Sequence, residues 1–291
     1  MTTLVQAWTG AQKRLKAAGV DSPAIDARLL LEAAANVTRT DVIADPHREL
    51  QDADARLLED YVERRARREP VARILGRKGF WKLLLNVSPA VLTPRPETET
   101  LVELALNAHP EFAAFTVLDL GVGSGAILLS ILAERPAARG LGVDVSEEAL
   151  AVARDNAANL GLGGRAAFLR TDWTQGLADE SFDLVVANPP YIRSGEMPDL
   201  DPEVKDHEPH LALDGGVDGL SAYRELAPQI LRVLKPDGLF LVEIGWNQAG
   251  EVKTLFEAEG GWDVGVVKDL GDRDRVVAGR KKGLGKASAS R

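Results

Sequence analysis

Thr116-Val117-Leu118-Asp119-Leu120-Gly121-Val122-Gly123-Ser124-Gly125 reads as an apolar strand that runs into alternating glycines, and residues 126–134 continue it as a helix. Strand, tight turn and helix in this order are the unit from which open α/β sheets are built, with ligands bound outside the carboxyl ends of the strands. Without a Cβ these glycines let backbone approach a ligand closely, and the start of the next helix presents N–H groups that have no helical partner. The spacing is neither the Gly-x-Gly-x-x-Gly of dinucleotide folds nor a phosphate loop, which needs Gly-Lys-Ser/Thr.

Reading outward, a second apolar strand over 140–143 ends in Asp144, an acid about 20 residues past the glycines, placed to accept both hydroxyls of a ribose. The spacing therefore predicts a cofactor that contains a nucleoside. A third strand over 166–170 ends in Thr171-Asp172-Trp173, where Asp172 offers a carboxylate to an adenine amino group and Trp173 an indole to the ring face. A fourth over 182–187 ends in Asn188-Pro189-Pro190-Tyr191. The prolines fix their own φ and donate no hydrogen bond, so their carbonyls stand out from a stiff turn as acceptors. Asn188 adds a side-chain carbonyl, and Tyr191 a ring to lie against a flat group. The turn is a trap for a planar NH2 group, either an amide or the exocyclic amine of a base.

Together these strand ends resemble a class I S-adenosylmethionine-dependent methyltransferase of the branch that methylates planar nitrogens. Further residues narrow the likeness: Phe80-Trp81, Thr93-Pro94-Arg95-Pro96-Glu97-Thr98-Glu99, Glu208-Pro209, Leu211-Ala212-Leu213-Asp214-Gly215-Gly216 and Glu243-Ile244-Gly245. With these the chain resembles, over nearly its whole length, the release factor glutamine methyltransferases, often called PrmC or HemK. The resemblance implies a Rossmann-like, seven-stranded sheet with a reversed last strand, a small N-terminal helical domain and a β-hairpin connector. It also implies S-adenosyl-L-methionine as cofactor, held by Gly121, Val122, Gly123, Ser124, Gly125, Asp144, Asp172, Trp173 and Asn188. The substrate implied is the glutamine of the Gly-Gly-Gln motif in class 1 peptide-chain release factors, gripped by Asn188, Pro189, Pro190 and Tyr191, with Asn188, Pro189 and Tyr191 carrying catalysis. The alternative is methylation of adenine or guanine in nucleic acid, because the same turn grips an exocyclic amine.

Composition weighs on that choice. The 291 residues carry a net charge of −9 and a pI near 5.1, which argues against stable binding to a phosphate backbone. No cysteine is present, so disulfides, thiolate catalysis and thiolate metal sites are excluded. His207 and His210 sit among acids in a polar loop; methyl transfer from a sulfonium needs no metal, and none is expected. No apolar run approaches a membrane span, and the first ten residues show no secretory pattern, so a cytoplasmic protein is expected.

The domain plan expected is a helical partner-binding domain over 1–75, a hairpin linker over 76–92, a methyltransferase domain over 93–280 and a disordered tail over 281–291. The last helix of the first domain, over 52–68, carries Arg64, Arg65, Arg67 and Arg68, which reads as a solvated face or as a docking surface for an acidic partner. Residues 192–219, long and without periodicity, read as a lid over the amine trap.

Overall fold

The computed structural model describes residues 2–283. The chain divides into two compact units, Met1–Arg77 with Asp201–His207, and Lys78–Leu200 with Glu208–Arg291. The expected tail lies largely outside the described residues; Lys281, which opens it, closes the last strand.

The first unit holds α1 (Leu4–Ala17), α2 (Pro23–Ala35), α3 (Arg39–Ala44), α4 (Asp52–Ala66) and α5 (Val71–Leu75), together with α9 (Pro202–Lys205) from much later in the chain. Thr3 and Gln6 form a reciprocal capping box at the start of α1, and Pro23 opens α2 in the first turn, where its missing N–H costs nothing. Leu4, Leu15, Leu30 and Leu31 are fully buried, with Leu58 and Val62 of α4 closing the core. The helix over 52–68 ends earlier than the sequence suggests. Arg67 caps it and Arg68 turns to φ 72°, a left-handed conformation that ends the hydrogen-bond ladder.

That turn decides the arginine run. Arg65 is buried: its Nε donates to Asp26 at 2.7 Å and its Nη1 to Glu203 at 3.1 Å, while Arg68 Nη2 reaches the other Glu203 oxygen at 2.7 Å. Arg64 pairs with Glu69, and Arg67, the most exposed, pairs with Glu63 one turn back. The run is therefore neither a uniformly solvated face nor a free docking surface. Two of its arginines hold the segment Asp201–His207 inside this unit.

From Lys78 the chain belongs to the second unit, where β1 (Arg77–Phe80), all but its first residue, and β2 (Leu83–Asn86) form a hairpin with Trp81 at φ 54° in its turn. The main sheet comprises β3 (Thr116–Leu120), β4 (Arg139–Asp144), β5 (Ala166–Arg170), β6 (Phe182–Ala187), β7 (Leu234–Glu243), β8 (Gly261–Lys268) and β9 (Asp274–Lys281). Its seven strands lie in the order β5-β4-β3-β6-β7-β9-β8, and β9 runs antiparallel to both neighbours. Alternation along a strand sends successive side chains to opposite faces. Val117, Leu184 and Val186 enter one core with α6 (Glu99–Ala108), α7 (Ala126–Glu134) and α8 (Glu147–Asn159). Leu118, Leu120, Val185 and Ala187 enter the other, against α10 (Ser221–Val233) and α11 (Ala249–Ala258).

The strand order reverses at β3, which lies between β4 and β6. A crevice opens at such a point outside the carboxyl ends. The expected lid over 192–219 is not bare loop. It contains 3-10 turns at Ser194–Asp199 and His210–Ala212 besides α9, and Ile192 closes back on it, taking Leu213 O at 2.9 Å and giving its own carbonyl to Gly215 N at 2.7 Å.

Candidate active site

The glycine loop is shaped by its backbone. Gly121, Gly123 and Gly125 have φ of 72°, 52° and 82°, conformations that L side chains rarely take. Val143 O accepts the N–H groups of both Gly121 and Val122 at 2.9 Å, which lays the loop across the end of β4. Asp144 then fixes it: one carboxylate oxygen accepts Gly123 N–H at 3.0 Å, the other Ser146 N–H at 3.0 Å. Each oxygen keeps a further lone pair for a ligand hydroxyl.

Behind the loop, Asp119 is buried with Oδ2 on Leu128 N–H at 3.1 Å and Oδ1 without a partner. Burial pushes its carboxyl up to about 7; the Leu128 N–H pulls the other way, and the Asp144 charge adds to the rise. Sequence reading assigned Asp119 only to the strand. The available signal was an acid inside an otherwise apolar run.

A cavity of about 280 Å³ occupies the crevice. Gly121, Val122, Gly123, Ser124, Asp144, Asp172, Trp173, Asn188, Pro189 and Pro190 all line it. The glycine loop, the ribose acid, the Asp172-Trp173 pair and the proline turn thus meet in one space. Two expected residues stand elsewhere. Gly125 caps α7 at φ 82° and is absent from the wall; that backbone conformation, and a Leu129 Cδ1 that a Cβ would approach to 2.9 Å, give it a reason to be glycine at the helix start. Tyr191 is also absent from the wall, and its ring packs against the buried cluster of Tyr223, Phe240 and Ile244. Partly buried against that cluster, it supports the turn from the core side.

The turn itself is held from two sides. Asn188 Nδ2 donates to Thr98 Oγ1 at 3.2 Å. Gln248, buried, donates through Nε2 to the carbonyls of Tyr191 and Gly219 at 3.0 and 3.1 Å, and accepts Gly245 N–H at 2.9 Å. Gly219 sits at φ 76°, and a Cβ on it would come within 2.5 Å of Tyr191 O, so only glycine permits this approach.

Further wall residues come from motifs that had marked the resemblance without a role at the site: Pro94, Arg95 and Thr98 from one segment, Pro209, Leu211 and Ala212 from another. Their two segments are joined by Glu208, whose buried carboxylate accepts Thr93 N–H and an Arg95 guanidinium N–H, each at 3.0 Å. Rigid prolines in Thr93-Pro94-Arg95-Pro96 were the available signal. The donor set fits an adenosyl sulfonium cofactor: a carboxylate for a diol at Asp144, a carboxylate and an indole for an aminopurine at Asp172 and Trp173, and aliphatic walls from Val122, Ile127 and Val145. Among the described residues no group of acids and histidines has metal-binding geometry.

Comparison with known proteins agrees with this geometry. Residues 6–76 match the family profile of the PrmC N-terminal domain, and residues 111–273 that of a methyltransferase domain. The release factor glutamine methyltransferase of Caulobacter vibrioides is 64% identical over 97% of this chain and 98% of its own. That of Rhodospirillum rubrum is 45% identical over 94% of this chain and 83% of its own, and that of Moorella thermoacetica 42% over 94% and 96%. Among solved structures, a methyltransferase from Pyrococcus furiosus aligns with a TM-score of 0.51 at 16% identity, over 68% of this chain and 88% of that one, a likeness of fold alone.

Proposed function

This chain belongs to the release factor glutamine methyltransferases, and from that premise we propose that it methylates the side-chain amide of the glutamine in the Gly-Gly-Gln motif of class 1 peptide-chain release factors, in the cytoplasm. The methyl donor is S-adenosyl-L-methionine, which when bound supplies an electrophilic methyl group on a sulfonium. The observation that carries the reading is that the Asn188-Pro189-Pro190 turn lines the same cavity as the glycine loop and Asp144.

An amide nitrogen is a poor nucleophile because its lone pair is delocalised into the carbonyl. Acceptors on its two hydrogens hold it in place and raise its electron density. With the donor bound, the new N–C bond would form as the methyl–sulfur bond breaks and a neutral thioether leaves; positive charge then grows on those N–H groups, so Asn188 Oδ1 and the Pro189 carbonyl stabilise the transition state more than the bound amide. With Asn188 Nδ2 given to Thr98, the oxygen is the end left for a ligand. Positioning supplies much of the rate, and the surplus proton leaves after transfer. Tyr191, anchored through its carbonyl by Gln248, keeps the turn rigid.

Partner recognition we assign to the helical unit, which contains none of the groups at the cavity. A release factor loop offers the amide, and the larger surface orients it, so remote binding energy is converted into alignment. The acidic balance of −9 disfavours nucleic acid as substrate. Incubation with labelled S-adenosylmethionine and, separately, release factor, its Gln-to-Ala variant at Gly-Gly-Gln, and duplex DNA tests the reading. Label is expected on intact release factor alone; label on DNA alone would end it.

A further inference from the structure

Asn188 follows β6 directly, and its side chain is the one acceptor of the turn that is able to rotate. A carboxamide keeps nearly the same shape when its oxygen and NH2 exchange places, so packing does not decide which end faces the cavity. For an incoming amide the difference is large. One orientation presents an acceptor to its N–H groups; the other sets NH2 against NH2.

The decision comes from behind. Asn188 Nδ2 lies 3.2 Å from Thr98 Oγ1, and Thr98 is only 4% exposed. A hydroxyl that accepts from Asn188 still has its own proton to place, and the acceptor that strand register brings to this level is the buried carboxyl of Glu243, which Thr98 and Asn188 both favour in its charged form. Register explains the meeting: Ala187 pairs with Val242, so Asn188 and Glu243 follow at the same level on adjacent strands. Glu243 is 2% exposed and its Oε2 has no hydrogen-bond partner. Burying a carboxylate so incompletely paired is costly, and a neutral side chain would fill the space at less cost. An ionised carboxylate, however, only accepts. A hydrogen-bond chain that ends on it has one possible polarity.

We propose that Glu243, acting through Thr98, is a positioning residue that holds Asn188 with its NH2 turned inward and its Oδ1 presented to the substrate. This rests on the amide-methylation reading above and names the groups that make its acceptor dependable. Burial raises the Glu243 carboxyl to about 7, with Thr98, Arg275 and Asn188 lowering it and Glu97 raising it; Tyr191 and Tyr223 also face it. Once protonated, the carboxyl gains a donor and the polarity of the chain is no longer enforced. Orientation control is thus present above about 7 and lost below it.

The test compares wild type with Glu243→Gln, Thr98→Val and Thr98→Ser, reading kcat and KM on release factor across pH, cofactor affinity by calorimetry, and melting temperature. Glu243→Gln and Thr98→Val are expected to lower kcat roughly 10- to 100-fold, with KM and cofactor affinity within about 2-fold of wild type. Thr98→Ser keeps the hydroxyl and should stay within about 3-fold of wild-type kcat. Wild type should lose kcat as pH falls through about 7, and Glu243→Gln should flatten that limb. Unchanged kcat in Glu243→Gln and Thr98→Val overturns the proposal, as does a Thr98→Ser no better than Thr98→Val, or a loss of kcat that merely tracks melting temperature or cofactor affinity. A wild type that binds cofactor yet never labels release factor overturns the amide reading itself, and this pairing with it.

Discussion

Removing the Arg65 side chain should unsettle the helical unit far more than removing its neighbour Arg67. Arg65 is 8% exposed in its side chain and faces two carboxylates, Asp26 at 14% and Glu203 at 18% exposure. Arg65→Ala leaves Asp26 without the Nε donor at 2.7 Å and takes the 3.1 Å partner from Glu203, which keeps only Arg68. Breaking a buried pair from one side commonly costs about 3–5 kcal/mol, because the remaining charge stays desolvated. Arg67, 69% exposed and paired with Glu63 one turn away, contributes at most about 0.5 kcal/mol. The full-length variants should be compared by thermal unfolding and by amide exchange over Asp201–His207. For a cooperative unit of this size the Arg65→Ala loss corresponds to a fall of more than about 10 °C in its transition. Faster exchange should appear first at Asp201–His207. A double-mutant cycle with Glu203→Gln adds the coupling between the two side chains. Equal shifts for Arg65→Ala and Arg67→Ala, or no coupling to Glu203, would show that the ion pairs do not hold the segment.

Asn188→Ala should cut turnover on release factor by about 100- to 1000-fold while release factor affinity survives; a turnover within a few-fold of wild type would make Asn188 a plain turn residue. Asp144→Ala should weaken S-adenosylmethionine by about 1.5–3 kcal/mol in calorimetry, since it removes the ribose acceptor and frees Gly123 N–H as well. A Cβ on Gly123 would meet nothing closer than Gly121 O at 3.9 Å, so Gly123→Val should act chiefly through a β-branched residue forced to φ 52°; lost cofactor binding with an unchanged circular dichroism spectrum is expected. Asp119 and Glu243 are each raised to about 7, from 3.8 and 4.5, so between those values and 7 the folded protein holds protons that the unfolded chain has released. Stability should therefore fall as pH rises toward 7, by at most roughly 3–4 kcal/mol per group, and Asp119→Asn should flatten the slope in denaturant titrations.

How much of this was legible in the sequence depends on whether the governing partner is near in the chain. The strand over 116–120, its glycine turn and the helix over 126–134 were legible because apolar periodicity and glycine punctuation act locally. So were the ends of β4, β5 and β6, since each candidate site residue either closes its own strand or follows within a few residues of it. The arginine run was not legible, because its meaning lies in Glu203, 138 residues beyond Arg65. Thr98 and Glu208 are similar cases: each acts by meeting a residue about a hundred positions away, Asn188 at a separation of 90 and Thr93 at 115. Tyr191 was read as a substrate platform because it adjoins the prolines; its packing against the core cluster beyond β6 is set by residues far along the chain, Tyr223 and Phe240 among them, and no local pattern announces that. Helix α5 lies beyond the helix over 52–68 that the sequence reading made the last of the first domain; it is a short turn for which Pro70 serves as the N-cap.

The passage of Asp201–His207 into the helical unit has a consequence for how this protein is divided and recombined. The chain changes unit after Arg77, after Leu200 and again after His207. A graft or truncation made at residue 77, close to where the N-terminal family match ends at 76, would carry away Arg65 and Arg68 and strand Glu203 in the remainder. The helical unit is therefore not a cassette: inheriting it whole means moving two separate stretches of gene together. A chimaera that exchanges only residues 1–77 sets a foreign helical stretch opposite this chain's Glu203, and whether that stretch can replace the Arg65 and Arg68 contacts becomes the checkpoint for compatibility.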